Sequence, residues 1–139
     1  MKITHLFAVF VLLTFSLTLG CQNDSDNVAD KRDNIEGDWH MTLDDGQVPV
    51  DYQVTISKDA NSTTKIFMSN FVNNGSKAYA TITGMNLTIP EQQVGNETVS
   101  GDGTISSDYN TITWNLTIDG DSYTGKMVPG GITKKELAR

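Results

Sequence analysis

Between Thr111 and Ile118 the side chains alternate without a break, with Ile112, Trp114, Leu116 and Ile118 apolar and the residues between them polar. A period of two predicts a strand with one face buried and the other wet. Asp119-Gly120 follows, the pair preferred in two-residue type I′ hairpins because both residues tolerate positive φ. The stretch Asp121–Val128 is therefore predicted to pair back antiparallel, with Tyr123, Gly125 and Met127 on one face. The same alternation sets Tyr52, Val54 and Ile56 on one face of a strand over Asp51–Lys58. Further strands are predicted over Asp38–Leu43, Thr64–Phe71, Lys77–Thr83, Met85–Ile89 and Val99–Ser106, with turn signals at Asp45-Gly46, Asn74-Gly75, Gly84 and Asp108. About eight short strands at roughly ten-residue spacing predict an all-β domain, either a small closed antiparallel barrel or a β-sandwich. Helix is confined to residues 28–34 and 132–139.

The first twenty residues follow a different pattern. Lys2 is their only Lys, Arg, Asp or Glu, and the run from Leu6 to Leu19 is apolar apart from scattered Thr and Ser. A basic start and a run shorter than the roughly 20 residues that span a bilayer predict a cleaved signal peptide over residues 1–20. The segment Leu17-Thr18-Leu19-Gly20-Cys21 resembles the lipobox of bacterial lipoproteins, with Thr18 where Leu is usual. The resemblance implies that Cys21 becomes an acylated first residue and holds the chain on a membrane. As the only cysteine, Cys21 also leaves no partner for a disulfide within the chain. Residues 21–34, rich in Asn, Asp and Ser, read as an acidic tether that cannot bury a core. Their early acids resemble the export tag that sends some lipoproteins to the outer face of the outer membrane, the periplasmic face being the alternative. The remaining organisation is a β domain over 35–131 and a short tail over 132–139.

Composition supports this division. Thr, Asn, Ser, Gly and β-branched residues dominate the domain, as in sheet proteins. The whole chain carries a formal charge of −7. Its lysines are scattered singly apart from Lys134-Lys135, so no basic stripe exists to meet phosphates, and nucleic acid is not an expected partner.

The start of the first domain strand, Ile35-Glu36-Gly37-Asp38-Trp39, resembles the Gly-x-Trp motif of lipocalins and related calycin-like barrels. The resemblance implies an eight-stranded barrel in which Trp39 plugs the closed end beside Gly37. A basic side chain from near the last strand then covers the indole, and Lys126 is the candidate. Such a cation–π contact contributes roughly 0.5–2 kcal/mol. One function open to such a domain is to hold a small apolar ligand inside the barrel, among Tyr52, Phe67, Met68, Met85, Trp114, Tyr123 and Met127. Glycines expected to face inward, Gly101, Gly103 and Gly125, would leave room for it or allow tight curvature. The alternative is a module that binds an envelope protein or a glycan through its loops and outer sheet face.

Catalysis is not expected. After signal removal one histidine remains, His40, predicted to lie opposite Trp39 on the wet face, and no Gly-x-Ser-x-Gly elbow presents a serine. The acids Asp44, Asp45, Asp119 and Asp121 sit at turns, where Asp is favoured for backbone reasons, and Glu91 and Glu97 flank a loop predicted after Pro90. A calcium loop over Asp24–Ile35 fails, because Ala29 stands where the turn glycine belongs and Ile35 where the last carboxylate belongs. No cofactor and no metal are expected.

Overall fold

The structure is a computed structural model that describes residues 29–130. The predicted signal peptide, Cys21, most of the tether and the tail at 132–139 lie outside the described residues. The chain forms a short 3-10 turn, Lys31–Asn34, and then eight strands: β1 Gly37–Asp44, β2 Val50–Lys58, β3 Lys65–Ser69, β4 Lys77–Thr83, β5 Asn86–Val94, β6 Glu97–Ile105, β7 Ile112–Ile118 and β8 Asp121–Pro129. Each strand pairs antiparallel with the next, and β8 returns to β1 through Met127 beside Met41 and Lys126 beside Thr42. The result is a closed up-and-down antiparallel barrel, not a sandwich. Closure removes the unpaired edges that make open sheets prone to association.

Alternation decides what is inside. In β7 the burial runs strictly in and out, with Ile112, Trp114, Leu116 and Ile118 buried and Thr113, Asn115 and Thr117 exposed. The Asp119-Gly120 turn has φ of 51° and 91°, as a type I′ connection requires. Strand β5 runs past the end predicted for it. Pro90 sits exposed in a register shift between Ile89 and Gln92, where the ladder needs no N–H from it. Pairing of β4 with β5 stops at Thr81–Thr88, and there the Gln92 amide takes over. Its Oε1 accepts from the Tyr79 N–H at 2.9 Å and its Nε2 donates to the Tyr79 carbonyl at 2.8 Å.

Both ends are closed. At the lower end Trp39 is buried and donates through Nε1 to the Ile35 carbonyl at 2.8 Å. Here the expected tether becomes structure. Asp30 caps the 3-10 turn, and Arg32, the one buried charged residue among those described, donates to the carbonyls of Asp59, Ser62 and Lys65. The pairing of Trp39 with Lys126 is not found. Lys126 stands exposed on the outer face beside Thr42 and Thr113, while Trp39 points inward three register positions away beside Pro129. The barrel assignment therefore rests on the closed ladder. At the upper end the β3–β4 loop tucks Phe71 and Val72 into the mouth, and Phe71 meets Trp114 edge-on at 5.2 Å.

Candidate functional site

An apolar ligand is expected inside the barrel. Met68, Trp114 and Met127 do come together inside, all within 1% of full burial, and Tyr52 faces inward near the mouth. Met85 and Tyr123 lie at the margins, partly buried against the core. Phe67 does not belong with them. It neighbours Met68 on β3, so alternation turns it outward, where it pairs with Tyr79 and lies 5.2 Å from the Lys77 ammonium.

The core fills the space that the glycines leave. A Cβ on Gly103 would fall 2.6 Å from the Trp114 ring, and one on Gly125 would fall 2.5 Å from the Met41 methyl. These glycines admit the indole and the thioether of their own chain. Trp114 Nε1 is satisfied internally by Met127 Sδ at 3.0 Å, and no buried side-chain polar atom among the described residues lacks a partner. An apolar guest would have to displace Phe71 and Val72 from the mouth. The loop that carries them is fastened: the Tyr52 hydroxyl donates to the Phe71 carbonyl at 2.7 Å, and Asn70 Nδ2 donates to the Gln53 carbonyl at 2.9 Å. Asn74 Nδ2 donates to the Val94 carbonyl at 2.9 Å. Burial, with a smaller contribution from the nearby charge of Glu97, pushes the Tyr52 hydroxyl's pKa up, which keeps it a donor.

The large concavity lies on the outer wall. It encloses about 770 Å³ and crosses β5, β6, β7, β8 and the start of the β1–β2 loop. Register places one polar side chain per strand across it, in the order Thr88, Asp102, Asn115, Thr124, Asp44. A second row, Ser100, Thr117 and Ser122, runs beside the first. Gly101 lies in the floor with φ of 154°, a conformation that suits glycine, and a Cβ there would fall 2.3 Å from the Asn115 carbonyl oxygen. The Thr88 hydroxyl donates to Asp102 at 3.2 Å and Asp44 accepts from the Gly46 N–H at 2.7 Å, so both carboxylates are oriented.

His40 is exposed on the outer wall as expected, with Asp51 at 3.8 Å. Among the described residues no cluster of three metal-ligand side chains forms. Sequence reasoning missed Arg32, Phe71, Gln92 and the groove. An Asp two residues before an Arg was the available signal for the first, and an aromatic inside an Asn-rich turn for the second.

No family model matches the chain, and no curated protein matches it. Two solved structures share its fold. One is a redesigned β-barrel, b11L5F_LGL, with 21% identity, a TM-score of 0.54 and coverage of 70% of this chain and 92% of that one. The other is the redesigned β-barrel mFAP1, solved bound to DFHBI, with 24% identity, a TM-score of 0.55 and coverage of 70% of this chain and 96% of that one. Likeness at this level of identity establishes the eight-stranded barrel and extends no further.

Proposed function

We propose that the chain is a lipid-anchored binding module of a bacterial cell envelope, without catalytic activity of its own, that engages its partner through the outer wall of the barrel. The observation that carries the binding reading is the contrast between the two faces. Inside, Trp114 and Met41 occupy the space beside Gly103 and Gly125. Outside, a concavity of about 770 Å³ lies open, lined by two rows of polar groups together with Ile89, Leu116 and Tyr123.

The anchor is supported by the signal pattern, by Gly20-Cys21 and by the absence of a second cysteine. In this reading Cys21 is acylated, and the acids behind it carry the protein to the outer face of the outer membrane. Ala29 and Gly130 both belong to the Trp39 end, since the Gly130 N–H donates to the Asp38 carbonyl at 2.8 Å and the 3-10 turn packs there. Eight residues from Ala29 back to Cys21 reach at most about 28 Å. The barrel would then stand close to the leaflet, its plugged mouth turned away.

Two measurements test the two halves. Metabolic labelling with a fatty-acid probe should mark the wild type and lose Cys21→Ala, and protease added to intact cells should cleave the domain. Labelling that persists in Cys21→Ala refutes the anchor, and cleavage seen only after lysis assigns the periplasmic face. Titration of the purified full chain with a fluorescent fatty acid should show no saturable uptake. Saturable uptake would return the ligand to the interior, with Phe71 as its gate.

A further inference from the structure

Resting on the reading that the outer wall binds, we infer that the groove is a carbohydrate site, and that it takes a short uncharged glycan laid across β5, β6, β7, β8 and β1. The spacing of the strands matches a glycan. Neighbouring strands stand about 4.8 Å apart, so the row from Thr88 to Asp44 presents one polar group at each such step. That step is close to the length of one sugar ring in an extended chain.

The hydrogen-bonding groups of the groove match it too. A sugar hydroxyl both donates and accepts, and so do the Thr and Ser hydroxyls; the Asn115 amide supplies both functions through separate atoms. Among the described residues the side chains of Asn115, Thr117, Ser122 and Thr124 make no intramolecular hydrogen bond, and all four are exposed. The carboxylates of Asp44 and Asp102 are acceptors already turned by their own neighbours. A ligand rich in hydroxyls can satisfy both rows without an unmatched group.

Charge and topology narrow the class. Asp44, Asp45 and Asp102 line the groove and no Lys or Arg does, so phosphorylated, sulfated and uronic-acid chains are repelled. The exposed large apolar residues, Val48, Val50 and Val128, all lie outside the lining, and its apolar part comes from Ile89, Leu116 and Tyr123. An extended peptide needs a free ladder to join, and the closed barrel has none.

The test uses the full chain in detergent against an array of neutral hexose tetramers with β-1,4, α-1,4 and α-1,6 linkages and of N-acetylhexosamine tetramers. A uronic-acid tetramer serves as the charge control. We expect at least one neutral tetramer to bind saturably and the uronic-acid tetramer not to bind. Asn115→Ala and Thr124→Val should each weaken the neutral ligand at least tenfold, whereas Thr113→Val, on the same wall but outside the groove, should leave it unchanged. Circular dichroism melts of the three variants check that all are folded. An array without a neutral binder, or binding indifferent to Asn115 and Thr124, overturns the inference. The fatty-acid titration separates the two failures: a silent array with no fatty-acid uptake removes the glycan alone, while fatty-acid uptake removes the outer-wall reading on which it stands.

Discussion

The Tyr52 hydroxyl donates to the Phe71 carbonyl at 2.7 Å, so a β2 side chain fastens the loop that stoppers the barrel. Phe71 is fully buried against Trp114. Phe71→Ala should cost about 3–5 kcal/mol, the usual range for a core aromatic cut to Ala. Tyr52→Phe removes only the hydrogen bond and should cost about 1 kcal/mol. Chemical denaturation of both variants and the double mutant measures the coupling. If Tyr52→Phe costs nothing, the hydroxyl does not hold the stopper.

At Gly103 the Trp114 ring occupies the space that a side chain would take. Gly103→Ala places a methyl 2.6 Å from the ring, and overpacking of this kind costs about 1–3 kcal/mol. Gly103 has ordinary backbone angles, so the penalty is steric and a smaller ring should relieve it. Gly103→Ala combined with Trp114→Phe should therefore be less destabilised than the sum of the single changes. Strictly additive losses in thermal melts would show that the two sites do not compete for space.

These relationships mark how far residue patterns reach. The strands were legible because a half-buried strand writes its two faces into its own residues, as β7 does. The Asp119-Gly120 turn was legible because its backbone demands those residue types. Phe67 was misplaced through disregard of the same alternation, since it cannot share a face with Met68. Lys126 was assigned by nearness in chain order to the last strand, whereas register puts it beside Thr42 and away from Trp39. The strand predicted to end at Ile89 continues through Pro90, because the register shift at that point makes the ladder donor that proline lacks unnecessary. The groove was not legible, because its row takes one residue from each of five strands and register is not written in any single segment. Arg32 looked like part of a solvated tether. Its partners are backbone carbonyls of residues far along the chain, which carry no side-chain signature.

Gln92 fills a missing rung between β4 and β5 by pairing both ways with Tyr79. Gln92→Ala leaves a partly buried N–H and carbonyl to water, for a cost of about 1–2 kcal/mol from two ordinary hydrogen bonds. Gln92→Glu keeps an acceptor for the Tyr79 N–H but sets a carboxylate against the Tyr79 carbonyl, so it should not rescue. Amide hydrogen exchange at Tyr79 should quicken in both variants, while Thr81, held by its own ladder partners on β3 and β5, stays protected. Equal protection of Tyr79 in wild type and Gln92→Ala would mean the backbone ladder closes without the side chain.

The Arg32 guanidinium hydrogen-bonds Asp30 and holds its carboxyl at about 2, below its ordinary 3.8. Because the folded value is the lower one, ionised Asp30 favours the folded state at all pH above 3.8, and this contribution is lost as pH falls through about 2. Asp108, lowered chiefly by the Ser106 hydroxyl, acts in the same direction, so the wild-type slope alone does not isolate Asp30. The difference between wild type and Asp30→Asn does. Melting temperature should fall less steeply between pH 4 and pH 2 in Asp30→Asn than in wild type, the window set by those two values. Arg32→Met should flatten the acid slope in the same way, because the cause of the lowered carboxyl is gone. It should also lower the melting temperature at every pH, since the carbonyls of Asp59, Ser62 and Lys65 lose their shared donor. Parallel acid slopes in wild type and Asp30→Asn would remove Asp30 from the linkage and leave Arg32 as a clamp on the backbone alone.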